Sequence, residues 1–135
     1  RLIDMGVEPY LLSSALIGVV AQRLLRTICS NCKTEYLADP EIIKQYQWQD
    51  NGSVRLSKGR GCEQCYDSGY RGRLGIHEII EADNNLQRLI VSNASREELT
   101  EFMKQHDVKT LFDDGMDRVL QGKTTIEEIW RVVNT

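Results

Sequence analysis

The sequence lacks any apolar run long enough to cross a bilayer. Such a span needs about 18–20 consecutive apolar residues, and the longest candidate, Leu11 to Leu25, is interrupted by polar residues that include Gln22 and Arg23. The chain also lacks an initiator Met and the basic-then-apolar pattern of a signal peptide. We therefore expect a soluble globular protein, and we interpret the chain as part of a longer one.

An overall excess of positive charge is also missing. The 17 Lys and Arg residues are outnumbered by 20 Asp and Glu residues, which gives a net charge of −3. Proteins that bind nucleic acid through its phosphates usually carry a basic excess, so the composition argues against that class. The segment from Val54 to Arg73 nevertheless contains five basic residues and only two acidic ones, Glu63 and Asp67. This local excess indicates either a solvated surface or a site for phosphate or an acidic partner.

The motifs that would equip the chain for catalysis are absent from its sequence. There is no G-x-x-x-x-G-K-[ST] phosphate loop and no G-x-G-x-x-G after a predicted strand. No Ser or Cys stands in a recognisable nucleophile motif with its partners. We therefore do not expect this stretch of chain to be catalytically active alone.

The residues that do carry chemistry are the four cysteines, which form two C-x-x-C pairs, Cys29/Cys32 and Cys62/Cys65. Two such pairs supply four thiolates, which complete the tetrahedral shell of a zinc ion and leave no position open for water. That pattern predicts a structural zinc site. Disulfides, an iron–sulfur cluster and redox-active thiols are the alternatives, and nothing in the sequence indicates the oxidising compartment that disulfides require.

The segment between the two pairs supports a metal-dependent fold. It is 29 residues long and contains few large apolar side chains, so we expect the metal to supply much of its stability. Gly61, just before the second pair, would allow backbone N–H groups to turn toward the sulfur atoms.

The spacing of apolar residues predicts an α+β fold that is mostly helical. A helix is expected from Pro9 to Ile28, where Leu, Ile and Val recur at helical spacing, and a strand over Arg73–Ala82. Between the cysteine pairs we predict a helix over Glu41–Trp48 capped by Asp39, then a turn at Asn51-Gly52 and a strand at Val54–Leu56. After the second pair we predict four helices. They begin at Asp83, at a Ser95/Glu98 capping box, at Thr110 with Gly122 after its end, and at a Thr124/Glu127 capping box.

Three segments together resemble the C-terminal part of the secretion ATPases, the motor proteins of type II secretion and type IV pilus assembly. They read LLSSALIGVVAQRLLRTICSNCK, GCEQCYDSGYRGRLGIHEII and DDGMDRVLQGKTTIEEIWRVV. The resemblance implies a RecA-like hexameric ATPase that uses ATP with magnesium and whose phosphate loop lies upstream of this chain. It also implies a cytoplasmic protein that reaches the inner membrane through partners, and G-I-H-E favours the type II branch.

The same resemblance implies a division of the chain into four parts. Residues 1–28 would pack on the RecA-like core, and residues 29–70 would form the tetracysteine zinc subdomain. Residues 71–82 would return to the core as a strand, and residues 83–135 would form a C-terminal helical subdomain.

The family pattern also implies roles for individual residues. Four cysteines match the zinc ligands of the family: Cys29, Cys32, Cys62 and Cys65. Five further residues are expected to contact nucleotide or a neighbouring subunit: Arg23, Arg71, Arg73, His77 and Glu78. The implied partners are further copies of the intact protein in a homo-hexamer and cytoplasmic domains of inner-membrane secretion or pilus components. A free-standing zinc-ribbon adaptor that binds protein or nucleic acid is the competing interpretation.

Overall fold

The computed structural model describes residues 1–49 and 54–133, and the predicted Asn51-Gly52 turn lies outside these ranges. The described residues form six helices and two two-stranded sheets, an α+β arrangement as predicted. In chain order the elements are α1 (Pro9–Ala15), β1 (Gly18–Ile28), β2 (Lys33–Leu37), α2 (Pro40–Gln45), β3 (Arg55–Gly59), a 3-10 turn (Glu63–Cys65), β4 (Tyr70–Glu81), α3 (Asn84–Val91), α4 (Arg96–Gln105), α5 (Leu111–Leu120) and α6 (Ile126–Val133).

The predicted helix from Pro9 to Ile28 is wrong from Leu16 onward. The helix ends at Ala15, Leu16 is already extended, and β1 pairs with β4. The apolar residues of this stretch recur at helical spacing, and they fall on odd and even positions alike instead of alternating as in a half-buried strand. Its β-branched residues favour a strand, and so does a long-range partner strand that local spacing cannot show.

The chain divides into two compact units, and the first consists of residues 1–21 and 77–110. Within it α1 packs against α3, and α3 contacts α4. Leu86 and Phe102 are its buried apolar side chains on α3 and α4. A groove of about 420 Å³ in this unit is lined largely by apolar side chains, among them Leu12, Leu16 and Ile90.

The second unit consists of residues 22–76 and 111–135, and it contains all four cysteines. The antiparallel pair β2–β3 lies in it, with Thr34 opposite Lys58. α5 packs on α6 and on β3. The apolar core of this unit consists of Leu25, Ala38, Ile43, Leu56, Ile76, Met116, Val119 and Ile129.

The predicted helix starts at Asp39 and Ser95 are confirmed by their hydrogen bonds. The Asp39 carboxylate accepts from the Glu41 N–H, and Ser95 and Glu98 form the predicted reciprocal capping box. The Thr124/Glu127 box is wrong by one residue. The Thr125 hydroxyl caps α6 by accepting from the Glu128 N–H, since Thr124 instead donates its hydroxyl to a carbonyl of β1.

None of the helices in the described ranges combines the length and the apolar composition that a membrane span requires.

Candidate metal centre

Each C-x-x-C pair lies where a strand ends or begins. The first pair, Cys29 and Cys32, occupies the connection from β1 to β2. The second pair, Cys62 and Cys65, lies at the 3-10 turn between β3 and β4. Backbone bonds join the two connections, because the Cys29 N–H donates to the Gly69 carbonyl at 2.9 Å. The strands thus bring together cysteines that are about 30 residues apart in sequence.

The four sulfur atoms form a compact cluster in which all Sγ atoms lie within 4.8 Å of one another. The Cys29–Cys62 and Cys32–Cys65 separations are each 3.8 Å, and Cys62–Cys65 is 3.6 Å. A tetrahedron of thiolates about 2.3 Å from a zinc ion has sulfur–sulfur edges of about 3.8 Å. The cluster therefore has the dimensions of a single four-coordinate zinc ion.

These distances also argue against a disulfide and against a cluster of several iron atoms. All four cysteines are free, with sulfur atoms well beyond the length of about 2.05 Å of a disulfide bond. A cluster of several iron atoms holds its four thiolates further apart than a single ion does. Cys29, Cys32 and Cys65 are also at most 4% exposed, so the donor set encloses its ligand and suits a structural ion.

Backbone N–H groups point at the sulfur of Cys65. The N–H groups of Cys62 and Gly69 donate to it at 3.2 and 3.3 Å. Burial opposes ionisation of this thiol, but these N–H groups stabilise the thiolate and bring its pKa below the usual value. A buried sulfur surrounded by N–H donors is suited to bind a metal as the thiolate.

The other two thiols with shifted pKa values respond to different surroundings. Burial raises the pKa of the Cys32 thiol to about 11, although a hydrogen bond from the Gly61 N–H opposes the rise. The pKa of the Cys62 thiol is lowered to about 6, and the largest contribution to this shift is a hydrogen bond with the Asn31 side chain. The expectation that Gly61 presents backbone N–H to a sulfur is confirmed, and its φ of +97° is one that glycine adopts without strain.

Glu128 is a buried polar residue of the same unit as the cysteines, and the sequence analysis missed it. It is 1% exposed, and its carboxylate accepts from the guanidinium groups of Arg26 and Arg131. Burial alone would raise the pKa of Glu128, but the hydrogen bonds from Arg131 and Arg26 outweigh it and hold the pKa at about 2. The spacing Glu128-x-x-Arg131 was the only local signal, and it equally fits an exposed helical ion pair.

The five residues expected at a nucleotide or subunit contact lie on β1 and β4. Arg23 is exposed on β1, and its guanidinium donates to the Gln22 carbonyl at 2.9 Å. Arg71 and Arg73 are exposed near the start of β4, where Arg71 donates to the Gln64 side chain at 3.1 Å. Further along β4, His77 is exposed and Glu78 is partly buried.

Comparison with known proteins decides the family. A family model described as "Type II/IV secretion system protein" matches residues 1–131, nearly the whole chain. The chain belongs to this family. The resemblance drawn from the three sequence segments is thereby confirmed.

The relatives of this secretion-family chain include proteins named for both systems. It is 45% identical over 132 residues to the type II secretion system ATPase E of Vibrio cholerae, covering 98% of this chain and 26% of the relative. It is 44% identical over 131 residues to the type IV pilus assembly ATPase PilB of Thermus thermophilus, covering 96% of this chain and 15% of the relative. It is 42% identical over 132 residues to the type II secretion system protein E of Pseudomonas aeruginosa, covering 98% of this chain and 26% of the relative. The chain thus spans about a quarter or less of the length of these relatives.

Proposed function

We propose that this chain is the zinc-binding C-terminal region of a hexameric cytoplasmic ATPase that powers type II protein secretion. The observation that carries the proposal is the four-sulfur cluster, with tetrahedral edge lengths, in a chain of the secretion family. Hydrolysis of ATP with magnesium belongs to the rest of that protein, because this sequence contains no phosphate loop. The segment from Gly75 to Glu78 favours the type II branch over pilus assembly.

In this proposal zinc has a structural role. Cys29, Cys32, Cys62 and Cys65 would hold one ion, and the bound metal would fix the segment 29–70 as a projection from the body of the protein. Three of the eight core residues of this unit, Ala38, Ile43 and Leu56, lie between the two cysteine pairs. Metal binding would add to the free energy that this packing supplies to the segment.

The exposed apolar surface of residues 1–28 supports their packing on a RecA-like core. Met5 is 72% exposed, Tyr10 69% and Ile17 89%. Packing of residues 1–28 against further protein would cover these side chains. Residues 71–82 would then return toward that core, and residues 83–135 would supply the C-terminal helices, with α3 and α4 in the first unit and α5 and α6 in the second.

The arginines and the His–Glu pair are proposed as contacts to nucleotide or to a neighbouring subunit of the hexamer. Arg23, Arg71 and Arg73 are exposed on strands, so their guanidinium groups are accessible to a phosphate or a carboxylate. A guanidinium binds either group through paired N–H donors. His77 and Glu78 lie on the same strand as Arg71 and Arg73.

A double substitution in the intact protein tests the proposal. Cys29→Ser with Cys32→Ser would remove two zinc ligands, and Ser30→Ala in the same turn is the matched control. We expect the double variant to lose zinc, hexamer assembly and ATP hydrolysis, and the control to keep all three. Normal zinc content, assembly and hydrolysis in the double variant would show that this proposal is wrong. The proposal also predicts that the gene encodes a phosphate loop upstream of Arg1.

A zinc-ribbon adaptor is the second candidate, and the basic residues between Val54 and Arg73 favour it. Two of them already have partners in the chain, since Arg55 pairs with Glu35 at 3.7 Å and Arg71 contacts Gln64. The adaptor hypothesis predicts that the chain binds a polyanion such as heparin with an affinity that falls steeply with salt. No binding at low salt would exclude the adaptor hypothesis.

The intact motor of the first proposal would instead contact cytoplasmic domains of inner-membrane secretion components.

A further inference from the structure

Residues 123–128 lead into α6 and include its first turn, and they make hydrogen bonds to both strands that flank the cysteines. We call these residues the 123–128 segment. It lies about 60 residues beyond the second cysteine pair in sequence, yet six of its hydrogen bonds reach Arg26, Ile28 or Tyr70, which are close to the cysteines in sequence. The zinc site proposed above does not itself require such a connection.

On the first strand, the 123–128 segment fixes the end of β1. The Ile28 N–H donates to the Lys123 carbonyl at 2.9 Å, and the Thr124 hydroxyl donates to the Arg26 carbonyl at 2.8 Å. Cys29, the first cysteine, follows directly after Ile28. Two of the three residues that precede the metal centre are therefore held through their backbone.

On the second strand, the same segment fixes the start of β4. The Tyr70 and Thr125 hydroxyls are hydrogen-bonded at 2.6 Å. Tyr70 follows Gly69, whose N–H donates to the Cys65 sulfur and whose carbonyl accepts from the Cys29 N–H. The contact at Tyr70 is thus one residue from a bond that joins both cysteine pairs.

Glu128 unites the two contacts through one buried carboxylate. It accepts from the backbone N–H of Arg26 at 2.9 Å and from the Arg26 guanidinium at 2.9 and 3.0 Å. The same guanidinium lies over the Tyr70 ring at 4.3 Å. The Glu128 N–H, in turn, donates to the Thr125 hydroxyl that bonds Tyr70. The Glu128 carboxylate therefore holds Arg26 directly and reaches Tyr70 through the Arg26 guanidinium.

We propose that Glu128 is a positioning residue for the metal centre, and that the docking of α6 through residues 123–128 is thermodynamically linked to metal binding. This inference rests on the proposed zinc site. Some residues orient metal ligands without binding the metal themselves. Their substitution typically lowers the affinity for the metal by about 10- to 100-fold. Linkage is reciprocal, so a metal that binds more tightly when α6 is docked must also hold α6 in place.

The test measures zinc release from the full 135-residue chain to a chromophoric chelator under native conditions. Glu128→Gln keeps the side-chain shape but faces Arg26 and Arg131 with an amide. Glu127→Gln removes the same charge from an exposed neighbour on α6 and is the matched control. We expect release about 10-fold faster from Glu128→Gln and an unchanged rate from Glu127→Gln.

A loss of global stability could also speed release, and a third variant separates the two causes. Val119→Ala truncates a core side chain of α5 that makes none of these bonds. The denaturant concentration is chosen so that Val119→Ala is as unstable as Glu128→Gln. Under that condition Val119→Ala should still release zinc slowly. Equal release rates from the two proteins would overturn the inference. Should Glu128→Gln fail to fold, Tyr70→Phe removes one hydroxyl and should still accelerate release.

Hydrogen exchange provides the reciprocal measurement. Removing zinc should speed exchange of the Ile129 N–H, which bonds the Thr125 carbonyl within α6, more than that of α3 amides in the other unit. Equal protection of Ile129 with and without zinc would refute the linkage. A wild-type chain that binds no zinc would refute the proposed site, whereas zinc binding with identical release from both glutamate variants would refute only this inference.

Discussion

The packing of α5 on α6 makes a specific prediction for Gly115, which lies within α5. Replacing a helical glycine by alanine usually stabilises a helix by about 1 kcal/mol. Here the added Cβ would lie 2.7 Å from Cδ1 of Ile129, a side chain with 0% exposure. Overpacking of this kind costs about 1–3 kcal/mol. The balance predicts that Gly115→Ala destabilises the unit by about 1 kcal/mol, opposite in sign to its helix propensity.

A second substitution isolates the contact that causes this effect. Ile129→Val deletes Cδ1 and alone should cost about 1 kcal/mol as a small cavity. In the double variant the new Cβ occupies the space that Cδ1 leaves, so stability should return close to that of the wild type. The cycle predicts a coupling of about 2 kcal/mol.

Urea unfolding of zinc-loaded protein, followed by the fluorescence of neighbouring Trp130, gives the four free energies. Stabilisation by Gly115→Ala alone, or strictly additive effects, would refute the close contact between the two helices.

Two further predictions concern helix caps in the first unit. Ser95→Ala should cost about 1 kcal/mol, because the hydroxyl accepts from the Glu98 N–H; faster exchange of that amide is the readout, and an unchanged rate would contradict it. The Leu86 N–H donates to the Asp83 carboxylate. This hydrogen bond and the nearby His106 lower the pKa of Asp83, although burial opposes the shift. Asp83 therefore stabilises α3 above pH 3.8, its ordinary pKa, and this contribution fades as the pH falls further. Protection of the Leu86 amide should follow that fall in wild type and be flat in Asp83→Asn, which keeps the cap; equal pH dependence in both would exclude Asp83 as the cause.

Local signals were enough where the structure depends on neighbours in sequence. Asp39 and Ser95 cap helices through their own backbone within three residues, so the residue types alone identified these helix starts. The C-x-x-C spacing identified all four sulfur atoms that the structure brings together. Such features need no information about the rest of the fold.

Long-range contacts decided the features that sequence reasoning missed. β1 was predicted as helix because its pairing with β4 involves residues about 50 positions away. The burial of Glu128 depends on Arg26, 102 positions away, and no local pattern marks a glutamate as buried. The α6 cap moved to Thr125 for the same reason, since Thr124 bonds the Arg26 carbonyl instead.

X-ray absorption at the zinc edge, combined with metal quantification on the purified chain, tests the central claim most directly. The account predicts one zinc per chain, coordinated by four sulfur atoms at about 2.3 Å with no nitrogen or oxygen ligand. A chain without stoichiometric metal that stays folded in a strong chelator would contradict it, as would a shell with fewer than four sulfur atoms.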